Sequence, residues 1–182
     1  MRDRPLKVSV FMALSLDGFI ARPDGDVAWL EEGMPLPEGD DAGYADFFKT
    51  VDVLVMGRGS FEKVLAFDPW PYGDKPVIVM SKSLTEIPEN LSHSVTLYEG
   101  GIHSLLENLP EIYSHIYLDG GQLVQSFLRE GLIDEMTLTT IPILIGKGIP
   151  LFGHLDHDIH LKHLSSRYWD NGFVQTVYQV LS

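Results

Sequence analysis

The stretch Val53-Leu54-Val55-Met56-Gly57-Arg58-Gly59-Ser60-Phe61-Glu62-Lys63-Val64 restricts the fold more than any other. Residues 51–56 form a nearly continuous apolar run, the pattern of a strand covered on both faces of its sheet. The run stops at Gly57-Arg58-Gly59-Ser60 and resumes with helical spacing, with Ser60 as the expected cap. Strand, glycine turn and helix in succession begin a parallel α/β arrangement.

The rest of the chain repeats the alternation. Residues 7–14, 76–81, 94–99 and 115–120 read as strands, and residues 102–109 and 121–131 as helices. A short helix is expected over 42–50, with Tyr44, Phe47 and Phe48 on its apolar face. Glycine, proline and acids dominate 33–41, which reads as a mobile excursion. Residues 134–144 read as a strand that Pro142 bends or places at an edge. Residues 161–169 and 173–181 flank Asp170-Asn171-Gly172, a hairpin signal. The expected fold is one α/β domain over 1–182. It has a mostly parallel central sheet, helices on both faces and a C-terminal antiparallel hairpin.

Composition limits the function. The 26 acidic against 13 basic residues give a net charge of -13, a surface that nucleic acid and anionic membranes repel. No apolar run approaches the roughly 18 to 20 residues needed to span a bilayer. The charged N-terminus, residues 1–7, leads into a strand and does not resemble a secretory signal. Absence of cysteine excludes disulfides and thiolate metal sites and fits a reducing cytoplasm. An anionic small ligand remains admissible where amides and a few cations gather locally.

Three strand ends offer such places, and ligands of open α/β sheets lie beyond the carboxyl ends of their strands. At Gly57, Arg58, Gly59 and Ser60, backbone amides, a guanidinium and a hydroxyl suit a phosphate. A tight turn beside a solvated arginine explains the same residues. At Gly120, Gly121, Gln122, Leu123 and Val124 a glycine pair opens another helix, for a phosphate or for close helix packing. No third glycine completes a dinucleotide fingerprint, and no acid ends the next strand. Ser81 and Lys82 stand where a carboxylate would read a free ribose hydroxyl, and they suit a 2′-phosphate instead.

Residues 12–21, 55–64, 77–83, 117–128 and 138–152, in that order, resemble the dihydrofolate reductase-like superfamily. Within it they are most similar to the reductase domain of bifunctional riboflavin-biosynthesis deaminase-reductases and its stand-alone relatives. The resemblance implies NADPH as cofactor. Ala13 and Ile20 would face the nicotinamide, and Gly57 to Ser60 a phosphate. Ser81 and Lys82 would take the 2′-phosphate, and Gly120 to Val124 the pyrophosphate, with a cis peptide between the paired glycines. Thr139 would lie near the substrate. Aligning Phe48 with the first helix places Tyr44 where dihydrofolate reductases carry a carboxylate, which disfavours folate. Trp29 either covers the substrate pocket or packs in the core. Asp17, at the mouth of the first strand, is either a turn residue before Gly18 or the catalytic acid.

Histidines 154, 157, 160 and 163 would gather on a helix, but the strand expected there scatters them, so no metal is expected. Lys147, between two glycines, reads as a loop residue. The expected activity is an NADPH-dependent reductase passing hydride to a small heterocycle, such as a ribosylamino-pyrimidine. Its rivals are a dihydrofolate reductase and a non-catalytic nucleotide-binding protein of the same fold. The apolar C-terminal hairpin suggests a homodimer.

Overall fold

The computed structural model describes residues 6–30, 32 and 35–181. Eight strands form one sheet in the order β5-β4-β3-β6-β1-β7-β10-β9. They are β1 (Lys7–Ser15), β3 (Val53–Gly57), β4 (Val77–Met80), β5 (Val95–Tyr98), β6 (His115–Asp119), β7 (Glu135–Ile141), β9 (Leu161–Tyr168) and β10 (Val174–Val180). All neighbours from β5 through β7 run parallel, whereas β10 is antiparallel to both β7 and β9. Two short strands, β2 (Phe19–Ala21) and β8 (Ile149–Pro150), pair separately. Among the described residues, four α-helices complete the fold: α1 (Tyr44–Thr50), α2 (Arg58–Val64), α3 (Ile102–Asn108) and α4 (Gly121–Arg129).

Alternation along the strands builds two cores. Val53 and Val55 of β3, with Ile116 and Leu118 of β6, pack under Leu105 of α3 and Val124 and Phe127 of α4. Leu54 and Met56, pointing the other way, pack with Phe61 and Val64 of α2 and the aromatic residues of α1. Both faces of β3 are therefore covered, which explains its unbroken apolar run. Period two also puts Tyr117 and Asp119 on the α1/α2 face, opposite Ile116 and Leu118.

The helix after β3 starts earlier than expected. Gly57 holds extended backbone at φ -81° and ψ 167°, and α2 begins at Arg58, so Ser60 lies inside the first turn and is not the cap. The helix expected over 42–50 begins at Tyr44, because Ala42 and Gly43 have positive φ and break the helical path. Residues 33 and 34 of the expected excursion lie outside the described residues, as do residues 1–5 of the charged N-terminus. Among the described residues, no helix is long and apolar enough to cross a membrane.

Candidate functional site

In the sheet order β4-β3-β6, the three strand ends singled out by sequence are direct neighbours. Beyond them lies a cavity of about 960 Å³. Gly57, Arg58, Gly59, Ser60, Ser81, Gly120, Gly121, Gln122 and Leu123 line it, and Ala13 and Ile20 close it from the side of β1 and β2.

The glycines differ in their reason for being glycine. A methyl group on Gly120 would stand 2.6 Å from the Ser60 hydroxyl oxygen, and one on Gly121 would stand 2.9 Å from the Pro150 carbonyl oxygen. Gly120 also holds φ at 98°, a conformation that side chains disfavour. These two glycines are required by the fold. Gly57 and Gly59 are not: a methyl group on either meets nothing within 4 Å, and neither has positive φ. Their missing side chains leave room for something that is not protein. Arg58 reaches across to β4, its guanidinium donating to the Ser83 hydroxyl at 3.0 Å, with Glu62 3.6 Å away. This donor set, one guanidinium and the hydroxyls of Ser60, Ser81 and Ser83 beside open backbone, fits a phosphorylated nucleotide.

Other expected residues stand elsewhere. Lys82 is exposed and does not line the cavity; Ser83, on the other side of the bend, does. Val124 is fully buried in the α3/α4 core. The Gly120–Gly121 peptide is not cis; among the described residues the cis bond is Asp68–Pro69, and Gly120 makes the turn through its φ alone. Trp29, 1 % exposed, packs with Ile141 and Phe173 beside a separate cavity of about 260 Å³, while Leu30 lines both cavities. Tyr44 and Phe48 stand one layer behind the wall. Their rings stack at 5.7 Å, and Tyr44 meets the cavity-lining Phe11 and Tyr117 at 5.5 and 6.2 Å. Thr139 is buried and accepts a hydrogen bond from the Gln175 amide at 2.9 Å.

Asp17 faces a loop rather than the cavity. Its carboxylate accepts from the Ser15 hydroxyl at 2.6 Å and from the amides of Gly146 and Ile145 at 2.8 and 3.3 Å. The Ser15 hydroxyl, with those amides, holds its pKa below the usual carboxylate value against the opposing desolvation. An acid so stabilised in its ionised form is a poor proton donor at neutral pH. Lys147, exposed beside it, lies outside the cavity lining. Residues 154–160 form a loop, and strand β9 begins at Leu161.

The acid that does line the cavity is Asp119, which sequence reasoning passed over. It ends β6 directly before the glycine pair, on the same face as Tyr117, and that spacing was the available signal. Its carboxylate accepts from the Gly120 amide at 2.9 Å, and no basic side chain pairs with it among the described residues. Burial raises its pKa above the ordinary value, opposed by the Gly120 amide. Tyr72 and Tyr117 line the cavity nearby. Burial, reinforced by the Asp119 charge, pushes the Tyr44 phenol up to about 12 and raises Tyr72 and Tyr117 further, so all three stay neutral. Tyr117 donates its phenol hydrogen to the Phe11 carbonyl at 3.2 Å. The cavity thus joins a guanidinium and hydroxyls at β3/β4 to an aromatic wall of Phe11, Tyr72 and Tyr117, with one carboxyl, Asp119, paired in register with Met56 next to Gly57.

Comparison with known proteins gives the chain a family and a fold. The model of the RibD C-terminal domain matches residues 6–175. Uncharacterized protein YwjB of Bacillus subtilis (strain 168) is 38% identical over 159 residues, covering 86% of this chain and 88% of that protein. The crystal structure of a putative riboflavin biosynthesis protein from Shewanella sp. PV-4 superposes with a TM-score of 0.91 at 39% identity, over 97% of this chain and all of that one. Dihydrofolate reductase from Enterococcus faecalis, complexed with NADP(H), shares the fold at a TM-score of 0.65 and 14% identity, with 97% of each chain covered. The match over residues 6–175 and these identities show that the chain belongs to the RibD C-terminal domain family.

Proposed function

We propose that this chain is an NADPH-dependent reductase of a small heterocycle, similar in chemistry to 5-amino-6-(5-phosphoribosylamino)uracil reductase. The observation that carries the reading is the pair Gly57 and Gly59. They face empty space in ordinary backbone conformations, inside a cavity that also holds Arg58, Ser60, Ser81 and Ser83. Neither conformation nor packing asks for glycine there, whereas close approach of a ligand phosphate does.

When bound, the nicotinamide nucleotide supplies a hydride. The chain's own residues supply the remainder. Arg58 and the three hydroxyls hold the phosphates. Gly120 to Leu123 would pass beside the nucleotide, and Ala13 and Ile20 would hold the nicotinamide ring on the side of β1 and β2. Phe11, Tyr72 and Tyr117 exclude water from the substrate ring. Asp119, whose burial favours its protonated form, offers the proton that the reduced substrate needs. Asp17 positions the loop at Ile145 and Gly146. The reading treats the chain as one reductase domain, forming a homodimer in a reducing cytoplasm.

Binding is tested by thermal denaturation with NADPH, with NADH and without ligand. NADPH at a hundred times its dissociation constant is expected to stabilise the protein by about 2.7 kcal/mol. Arg58→Ala should weaken NADPH about tenfold or more, while moving the ligand-free stability by less than about 0.5 kcal/mol, as for an exposed side chain. No stabilisation by either nucleotide would falsify the reading. Oxidation of NADPH with candidate heterocycles then identifies the substrate.

A further inference from the structure

The second cavity, of about 260 Å³, is walled by Trp29, Leu30, Ile141, Pro142, Ile143 and Phe173. Apolar voids of about 150 Å³ stay dry and admit a benzene ring, so this one has room for a ring and a substituent. Two further side chains line it, Glu32 and Asn171, and among the described residues no basic one does. The Asn171 amide is engaged, donating to the Pro35 carbonyl at 3.1 Å and accepting from the Phe173 amide at 3.0 Å. The Glu32 side chain belongs to an exposed residue.

Trp29 brings a polar group that the fold leaves unused. Its side chain is 1 % exposed, and its indole N–H has no hydrogen-bond partner among the described residues. Trp169, by contrast, gives its indole N–H to the Asp40 carboxylate at 2.6 Å. Trp70 also lacks a partner but lines neither cavity. Among the three tryptophans, Trp29 combines a buried unpaired donor with adjoining space. Such a donor keeps the whole cost of leaving water, and an acceptor brought to it removes that cost. We propose that this cavity is a second small-molecule site, for an uncharged single-ring compound whose acceptor oxygen meets the Trp29 indole N–H. The ring packs on the apolar wall. The N–H is sealed from solvent, so pairing requires the indole to tilt toward the space it borders. Glu32 in the lining and a net charge of -13 disfavour anions. Leu30 lines both cavities, so the site adjoins the larger one without sharing its donor set, and it stands independently of the reductase reading.

The test titrates isotopically labelled protein with acetophenone, benzoate and toluene, followed by NMR. Trp70→Phe and Trp169→Phe identify the Trp29 indole N–H resonance by elimination, and affinities are read from the Phe173 backbone amide. Acetophenone is expected to move the indole resonance downfield, as a new hydrogen bond does, whereas toluene, which has no acceptor, should not. Benzoate, similar in shape but charged, should bind about tenfold more weakly than acetophenone. Trp29→Phe should cost acetophenone about fivefold in affinity and toluene less than about twofold. Ile143→Phe, which fills the cavity, should abolish binding of both with unchanged circular dichroism. An indole resonance unmoved at millimolar acetophenone overturns the proposal, and this wild-type result holds even where Trp29→Phe does not fold. Benzoate binding as tightly as acetophenone overturns it too. So does an equal loss of acetophenone and toluene in Trp29→Phe, or binding that survives Ile143→Phe.

Discussion

Gly57 and Gly59 differ from Gly120 and Gly121 in what surrounds the missing side chain, and the difference can be measured. Gly59→Ala places a methyl in open space on a helix, so ligand-free protein should gain about 0.5 to 1 kcal/mol while losing NADPH affinity. Gly120→Ala should instead lose stability, because the new methyl would stand 2.6 Å from the Ser60 oxygen at a positive φ. Denaturant titration in parallel with NADPH binding separates the two; a destabilised Gly59→Ala would remove the argument for a ligand. Asp119 makes a second residue-scale prediction. Its folded pKa is raised, so the folded state holds the proton more tightly than the unfolded chain, and stability falls as pH rises through the raised value. Asp119→Asn should therefore melt higher than wild type at alkaline pH. The difference should vanish below the ordinary carboxylate range, and reduction should slow. Sequence displayed the glycines but not this distinction between them, because whether a Cβ has room depends on Ser60 and Pro150, far away in the chain. Asp119 was hidden for a similar reason: its raised pKa comes from burial, which only the folded chain supplies.

Strands and helices were legible where their period was long and their faces apolar. Strands β1, β3, β4, β6 and helix α4 lie within a residue or two of expectation, since covered strands carry unbroken apolar runs. Boundaries governed by backbone geometry were not legible: the extended Gly57 starts α2 at Arg58, and positive φ at Ala42 and Gly43 delays α1 to Tyr44. Nor were β2 and β8, three and two residues long, because no periodicity fits into so few positions. Strand β9 bears on the homodimer. All eight of its residues are exposed, including Leu161 at 40%, Leu164 at 45% and Tyr168 at 80%, and it is one of the sheet's two edges, opposite β5. An edge with unpaired backbone groups and apolar side chains favours association with a second copy. Sedimentation equilibrium at micromolar protein is expected to show a dimer, and Leu164→Lys a monomer with unchanged circular dichroism. A wild-type monomer would leave β9 as an edge protected only by its charges.

At the scale of the whole molecule, the sequence gives a net charge of -13, and the structure concentrates Arg58 and Lys63 in one cavity. An approaching anionic nucleotide therefore meets two opposing fields. At about 0.01 M salt the Debye length is about 30 Å, so the nucleotide senses the excess of carboxylates over the whole surface and is repelled. At about 0.15 M the length is about 8 Å, and the distant carboxylates disappear from view while the cavity cations still act at contact. The association rate of NADPH is expected to rise several-fold between these salt concentrations, opposite to the fall seen when a basic protein captures an anion. Dissociation should quicken as well, because screening also weakens the contacts to Arg58, so the dissociation constant should move less than either rate. Stopped-flow quenching of tryptophan fluorescence measures both. Arg58→Ala should keep the rise in association rate and lose most of the salt effect on dissociation. Association that slows with salt in the wild type would mean that the cavity's cations outweigh the surface even at long range.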